Sequence, residues 1–329
     1  MTETMKKFIY ILGIAAFSTG LSSCDKRADD VIDEIPDTYT MLYMPQAIDL
    51  PNEYTFNRSA AGDSIFYGAY LGGPRSFDTN IEVQFEIDQA KVAEYNKMNF
   101  TSYPVLPADS YEFTETSTVI PKGSQHSSTL KMKILSANLD GVGKFLLPIT
   151  MKTSSQVNVN PSLETTYFLV DAQYLSNPFP VMDRAAWEIV DFSSEEATGE
   201  GANNGHAIHA FDDDPATFWT TQWKGAKPGP PHHITINMNA DEKVHGFKFI
   251  GRIDNKTGEV RTTGNPRDII VETSMDGSTW NYSEAFHLDN VLENTIYLSY
   301  AQDATYYRIT INSSQSDNYL THIAELYAF

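Results

Sequence analysis

The stretch His209-Ala210-Phe211-Asp212-Asp213-Asp214-Pro215-Ala216-Thr217-Phe218-Trp219-Thr220 decides how the second half of this chain is interpreted. It sets three consecutive carboxylates and a hydroxyl ahead of two large aromatic residues. Asp212, Asp214 and Thr217 are spaced like oxygen ligands on a tight loop, and calcium is bound by several such oxygens. The bland alternative is a turn whose clustered like charges simply face water. In both interpretations the two aromatic residues that follow return to a core.

Alternating apolar residues beyond this loop indicate β-strands that bury one face. About eight such strands between residues 181 and 329 fit a jelly-roll sandwich. The body begins after residues 177–180, where two prolines break the β pattern. Residues 275–280 are predicted to form a turn that reverses a strand, after which Trp280 returns to the core. The residues predicted to share buried faces are Ile234, Ile236 and Met238; Phe247 and Phe249; Ile269, Val271 and Thr273; and Tyr307, Ile309 and Ile311.

Several pieces of this body, in order, resemble the discoidin or coagulation factor 5/8 type C family, and within it the family 32 carbohydrate-binding modules. The resemblance rests on the order of the pieces and covers the whole body. It implies a discoidin-like jelly-roll domain at 181–329, a structural calcium ion and a sugar site in the loops. The pieces are residues 207–220, 233–236, 274–280, 307–311 and 323–326.

The resemblance implies a calcium site that joins an early turn to the last strand of the domain. The family generally has glycine where this chain has Asp213, so a positive φ there would cost aspartate some strain. We expect the Asp213 side chain to face water. The implied ligands are the carbonyl of His209, the side chains of Asp212, Asp214 and Thr217, the carbonyl of Ala324 and the carboxylate of Glu325.

The resemblance also implies a shallow sugar site, in which an aromatic face stacks on a pyranose and polar groups bind its hydroxyls. Trp223 and Arg252 are the best candidates. The alternatives are loop packing for Trp223 and a surface ion pair for Arg252. The further candidates are His206, Asp254, Asn318 and Tyr319, the last two of which could instead cap the sheet.

Residues 39–175 are predicted to form an N-terminal, Ig-like antiparallel β-sandwich, so the whole chain is all-β. Ile81, Val83, Phe85 and Ile87 alternate with polar residues, and one short helix is predicted at 89–96. Residues 103–111, 120–123 and 146–149 resemble an N-terminal domain of uncharacterised role in Bacteroidetes surface lipoproteins. We interpret this domain as a spacer, in which the lone His126 is solvated.

The N-terminus has the pattern of a processing signal. Two lysines precede a short apolar run, and Leu21-Ser22-Ser23-Cys24 resembles the lipobox of bacterial lipoproteins. Residues 1–23 would then be a signal peptide, Cys24 the lipidated residue, and residues 24–38 an acidic tether. The alternative is a secretory signal with a chance cysteine. Because the chain has 1 cysteine, it cannot form an internal disulfide.

The net charge of −20 across 329 residues disfavours nucleic acid as a partner. The leading hypothesis is a non-enzymatic lipoprotein of the outer membrane that faces the exterior. It would hold polysaccharide or glycoprotein glycan for an outer-membrane importer and glycoside hydrolases. The alternatives are a protein-binding adhesin or assembly subunit and, less favoured, a hydrolase, which would need two carboxylates in a cleft.

Overall fold

The computed structural model of this chain describes residues 35–317 and 319–329. They form two β domains, each with its own hydrophobic core, as the sequence predicts. The signal segment, Cys24, most of the acidic tether and Asn318 lie outside the described residues. Within the described ranges, no helix is both long and apolar enough to cross a membrane.

The N-terminal domain contains one α-helix, α1 (Ala90–Asn99), and 3-10 turns at Asp37–Tyr39, Pro45–Ala47, Ala108–Ser110 and Ser136–Asn138. Its strands are β1 (Met41–Tyr43), β2 (Asn52–Asn57), β3 (Asp63–Tyr67), β4 (Tyr70–Gly72), β5 (Ile81–Ile87), β6 (Tyr111–Glu112), β7 (Ser117–Ile120), β8 (Leu130–Ile134), β9 (Phe145–Thr153), β10 (Asn158–Val159) and β11 (Thr165–Gln173).

These strands form a five-stranded sheet, β2-β11-β9-β5-β7, and two three-stranded sheets, β10-β1-β4 and β3-β8-β6. The predicted alternation of β5 is confirmed, with Ile81, Val83 and Phe85 buried. Most pairs are antiparallel as predicted, but β2 pairs in parallel with β11, and β1 with β10. Strand β11 is buried on both faces because α1 packs on its outer side, so no alternation marks it.

The C-terminal domain is a sandwich built around two long strands, β14 (His232–Ile250) and β17 (Glu293–Ser314). Strands β14 and β17 pair from His232 opposite Ile311 to Ile250 opposite Glu293. The pairing register shifts after Asn237 and after Val244, as at β-bulges. The other elements are a 3-10 turn at Ala207–Ala210 and strands β12 (Glu188–Phe192), β13 (Trp219–Thr220), β15 (Pro266–Ser274), β16 (Tyr282–His287), β18 (His322–Ile323) and β19 (Glu325–Ala328).

The larger sheet has the order β12-β14-β17-β15-β16, with β19 also paired to β14, while β13 pairs with β18. All the predicted buried faces of this domain are confirmed; for example, Tyr307, Ile309 and Ile311 are fully buried. Trp280 was expected to return to the core, and that expectation is wrong. Trp280 lies outside the buried core and is half-buried, with the guanidinium carbon of Arg308 4.3 Å from its ring centroid.

The two domains meet through backbone hydrogen bonds. The amides of Val142 and Gly143 donate to the carbonyls of Leu298 and Ser299, at 3.2 and 2.6 Å. A Cβ on Gly143 would lie 2.6 Å from the Ser299 oxygen, so only glycine fits this approach.

Candidate functional site

The predicted calcium loop meets the end of the chain because β13 and β18 pair beside it. Trp219 is opposite Ile323 and Thr220 opposite His322, which brings Glu325 back to residues 209–217. The Glu325 side chain is fully buried. It lies close enough to Asp212 that the second carboxylate adds to the rise in its pKa. The structure therefore joins two of the implied calcium ligands, more than 100 residues apart in sequence.

Glu325 has one paired and one unpaired carboxylate oxygen. Arg184 donates to its Oε2 at 2.7 Å and to the carbonyl of Leu326 at 2.9 Å. Oε1 is buried and has no hydrogen-bond partner. Burial raises the pKa of Glu325, while the Arg184 guanidinium lowers it. A buried carboxylate oxygen without a partner is costly, so a second cation would stabilise this site.

The loop itself is held by short-range hydrogen bonds. The Thr217 hydroxyl lies 2.7 Å from Asp212 Oδ2 and 2.9 Å from the carbonyl of Asp214. The Asp214 carboxylate accepts from the amide of Ala216 at 3.0 Å. Asp213 has a φ of 61°, the positive value that the family's glycine suggested. Its side chain is exposed as expected, but it also pairs with Arg184, a contact that the sequence did not reveal.

The remaining implied ligands flank the same loop. His209 lies in the 3-10 turn that ends at Ala210, just before the aspartates. Ala324 is buried and precedes Glu325 in the chain. Within residues 35–317 and 319–329, no three His, Cys, Asp or Glu side chains gather as a metal site. Two carboxylates, a hydroxyl and backbone carbonyls are nevertheless the hard oxygen donors that calcium prefers. An ion among these donors would give the buried Oε1 of Glu325 a partner.

The two best sugar-site candidates lie side by side, joined by one carboxylate. Trp223 Nε1 donates to Glu200 Oε1 at 3.0 Å, and Arg252 Nη2 donates to Glu200 Oε2 at 3.1 Å. Trp223 is half-buried, and the side chains of Arg252 and Glu200 keep 11% and 16% of their surface exposed. We call Glu200, Trp223 and Arg252 the rim cluster. Sequence reasoning missed Glu200, because an acid in a polar loop carries no distinctive signal.

The guanidinium of Arg252 packs against Phe218 and His322, which flank the calcium loop in sequence and in the β13–β18 pair. Its guanidinium carbon lies 3.6 Å from the centroid of the Phe218 ring. Its Nη1 is 3.5 Å from Nδ1 of His322, which also bonds the hydroxyl of Thr220. Burial lowers the pKa of Arg252. Burial, with the charge of Arg252 beside it, also holds the pKa of His322 well below its usual value, so the imidazole is neutral.

A second missed acid, Glu196, shapes the loops of the rim. Its carboxylate accepts four backbone amides, those of Thr198, Gly199, Trp223 and Lys224, at 2.7 to 3.1 Å. Burial opposes ionisation, but these amides lower the pKa of Glu196 to about 2. Gly199 then packs on the Trp223 ring, and a Cβ there would lie 2.5 Å from Cζ2. Glu196 therefore orders both loops that position Trp223.

The other sugar candidates occupy separate places. His206 bonds Glu195 at 3.0 Å and lines a different groove, beside Trp187. Asp254 accepts from the amides of Lys256 and Thr257 and so closes its own turn. The ammonium nitrogen of Lys227 lies 5.0 Å from the centroid of the Tyr319 ring. The backbone carbonyl of Tyr319 accepts a hydrogen bond from Nε2 of His232. Asn318 lies outside the described residues. These contacts give the three described candidates local structural roles.

A small cleft of about 140 Å³ lies between the calcium loop and the rim cluster. Thr217 and Phe218 form one wall, and Arg252 and Asn255 contribute to the other. Arg252, whose side chain keeps 11% of its surface exposed, thus borders this cleft. The arrangement can therefore offer N–H donors and an aromatic surface to a ligand without a deep pocket.

Comparison with known proteins agrees with this organisation. Residues 190–326 match the family model of the F5/8 type C domain, and residues 38–158 match the model of an N-terminal domain. A sialidase from Micromonospora viridifaciens is 29% identical over 150 residues, which cover 44% of this chain. That match spans 22% of the sialidase, so most of the enzyme has no counterpart here.

Two solved structures are similar to this chain over nearly half of its length. The C-terminal domain of a chitobiase from Bacteroides fragilis is 29% identical, with a TM-score of 0.41. The match covers 46% of this chain and 97% of the chitobiase domain. A CBM32 module from Clostridium perfringens, in complex with GalNAc-β-1,3-galactose, is 19% identical, with a TM-score of 0.40. That match covers 46% of this chain and 99% of the module. On the strength of the family-model match and the β-sandwich described above, the C-terminal domain is an F5/8 type C, or discoidin, domain.

Proposed function

We propose that this protein binds saccharides through the rim cluster of its C-terminal domain. The observation that carries the proposal is the convergence of Trp223 and Arg252 on Glu200. Two residue types suited to sugar recognition, 29 positions apart in sequence, share one carboxylate. The F5/8 type C assignment supports a carbohydrate-binding module rather than an unrelated β-sandwich.

The charges of the rim cluster favour a hydroxyl-rich ligand. The charge of Arg252 is balanced by Glu200, so the site needs no counter-ion from a ligand. The guanidinium has five N–H groups, more than its contacts with Glu200 and His322 occupy. The half-buried ring of Trp223 adds apolar surface fixed by two ordered loops. Such pairing of an aromatic with rigid polar groups is suited to a pyranose.

We also propose a structural calcium ion held by Asp212, Glu325, Thr217 and the carbonyls beside them, with Asp214 and His209 completing the loop. When bound, the ion would neutralise two adjacent carboxylates and fasten the end of the chain to the loop. Phe218 and Trp219 are buried directly after this loop, so packing in the core holds the residues beneath Arg252 whether or not the ion is bound.

The proposed setting is the outer face of an outer membrane, where a lipid on Cys24 and the acidic tether would anchor the protein. Shallow saccharide sites bind weakly, and many copies on one membrane would add avidity. The protein would hold polysaccharide or glycoprotein glycan near an importer and glycoside hydrolases. The lipobox resemblance at residues 21–24 supports this part of the proposal.

A glycan array tests the proposal. Residues 25–329 should give saturable binding to a defined set of glycans, and Trp223→Ala and Arg252→Ala should each remove it while circular dichroism stays unchanged. Full retention of binding by both variants would reject the rim cluster. Absence of any glycan binding, combined with saturable binding to a cell-surface protein, would favour the adhesin alternative.

A further inference from the structure

Three aromatic rings lie in a row on the outer face of the β10-β1-β4 sheet in the N-terminal domain. Tyr43 of β1 stands directly opposite Tyr70 of β4, with ring centroids 5.9 Å apart. The Tyr70 ring is 5.8 Å from the ring of His126, whose backbone forms a bridge with Tyr70. We call Tyr43, Tyr70 and His126 the aromatic stripe.

The aromatic stripe lies on the face of the sheet that points away from the core. Leu42 and Leu71, which are adjacent to Tyr43 and Tyr70 on their strands, are buried in the core, so the two tyrosines project from the opposite face. Tyr70 has 41% of its surface exposed, Tyr43 is half-buried and His126 is exposed. The stripe is therefore a surface feature and no part of the core.

Gly72 lets the Tyr43 ring lie down on the sheet. A Cβ on Gly72 would be 3.1 Å from Cε1 and 3.4 Å from Cδ1 of Tyr43. Gly72 does not have a positive φ, so space for the ring, and not backbone freedom, explains glycine at this position. A ring lying over a neighbouring glycine turns one face to the backbone and the other to solvent.

The loop segment that carries His126 supplies polar side chains without acidic or basic residues. The segment 124–129 contains serine, glutamine, histidine and threonine, with no Asp, Glu, Lys or Arg. Ser124 donates its hydroxyl to the carbonyl of His126 at 3.1 Å, and His126 Nδ1 lies 3.2 Å from the carbonyl of Ser127. Donation from Nδ1–H to this carbonyl leaves Nε2 available for a hydrogen bond with a ligand. The His126 ring is thus anchored and keeps hydrogen-bonding capacity.

We infer that the aromatic stripe is a second binding surface, and that its ligand is a neutral saccharide chain. Successive aromatic faces suit the apolar CH faces of successive sugar rings, while hydroxyl, amide and imidazole groups suit their hydroxyls. A phosphorylated or uronate ligand would find no cation in the segment 124–129. This inference goes beyond the rim cluster, because it gives the N-terminal domain a role other than that of a spacer. Two sites on one chain would bind one glycan with avidity.

The test uses residues 25–329 carrying both Trp223→Ala and Arg252→Ala, so that the rim cluster is disabled. Affinity electrophoresis through gels with neutral polysaccharides, and with polygalacturonate as an acidic one, measures residual binding. We expect a neutral polysaccharide to retard this chain, and Tyr70→Ala to weaken the retardation about tenfold. The control is Phe100→Ala, at an exposed aromatic beyond α1, which packs on the other sheet of the domain. That variant should retain the retardation.

Several outcomes would overturn the inference. They are no retardation of the rim-disabled chain, retardation by polygalacturonate alone, or retardation that Tyr70→Ala leaves unchanged. Sedimentation showing that Tyr70→Ala converts a dimer to a monomer would make the stripe a contact between copies of this chain. If the rim variants bind as well as the unmodified chain and Tyr70→Ala abolishes binding, the stripe is supported and the rim proposal fails.

Discussion

Two charged sites in the C-terminal domain, close together, balance their charges in opposite ways. At the calcium loop, Glu325 and Asp212 lie side by side, and the single nearby guanidinium of Arg184 leaves one buried oxygen without a partner. At the rim cluster, Glu200 balances Arg252 and also accepts from Trp223. The first site thus keeps a buried carboxylate oxygen without a partner, whereas the opposite charges of the second offset each other. This difference is why we propose a structural ion at the loop and ligand recognition at the rim cluster.

The largest expected effect comes from Glu325→Ala, which leaves Arg184 buried without its main partner. Loss of one member of a buried pair costs about 3–5 kcal/mol. Urea unfolding of the C-terminal domain should show this loss, whereas Glu293→Ala, at an exposed acid paired loosely with Lys248, should change little. Equal stabilities for the two variants would contradict the account of the loop.

Removal of calcium should have the next largest effect. An ion at a hundred times its dissociation constant stabilises the folded state by about 2.7 kcal/mol. Exhaustive chelation should therefore lower the melting temperature of the C-terminal domain and leave that of the N-terminal domain unchanged. Saccharide binding below the melting temperature should persist, since no rim residue is among the proposed ligands. An unchanged melting curve would remove the distinction between the two sites.

Glu196 offers a test through pH. Its pKa is about 2 in the folded chain, below the usual value for a glutamate, so its stabilising contribution is present above about pH 4.5. That contribution is lost as the pH falls towards 2. Glu196→Gln should cost about 2 kcal/mol at pH 6 in urea unfolding, and the difference should shrink in acid. A difference that is independent of pH would show that the four amides do not depend on the charge of Glu196.

The smallest expected effect is on saccharide affinity. Gly199→Ala would press a Cβ against the Trp223 ring, 2.5 Å from Cζ2, and would bring it to 3.0 Å from Cδ of Glu196. The displaced ring should weaken saccharide binding about tenfold, equivalent to about 1.4 kcal/mol. Gly229→Ala is the matched control, because a Cβ there meets no atom within 4 Å. Titration calorimetry on both variants would measure the effect, and equal affinities would mean that the Trp223 ring does not contact the ligand.

The sequence predicted the parts of the molecule that depend on local pattern. Alternation located β5, β8, β14 and β17, and the resemblance to discoidin domains indicated that the loop at 209–217 meets Glu325. The sequence pattern did not predict that Arg184 pairs with Glu325. It also did not predict that Glu200 joins Trp223 to Arg252. Both contacts depend on how loops distant in sequence pack together. Trp280 was misplaced for a similar reason, since cation–π contact with Arg308 competes with burial and leaves no local signal.

The measurement that tests the central claim most directly is a crystal structure of residues 25–329 with the glycan that binds best on the array. The account predicts a sugar ring against Trp223, with hydroxyls within hydrogen-bonding distance of the Arg252 guanidinium and the Glu200 carboxylate. A glycan bound elsewhere on the domain, with Trp223 and Arg252 in contact only with solvent, would contradict it.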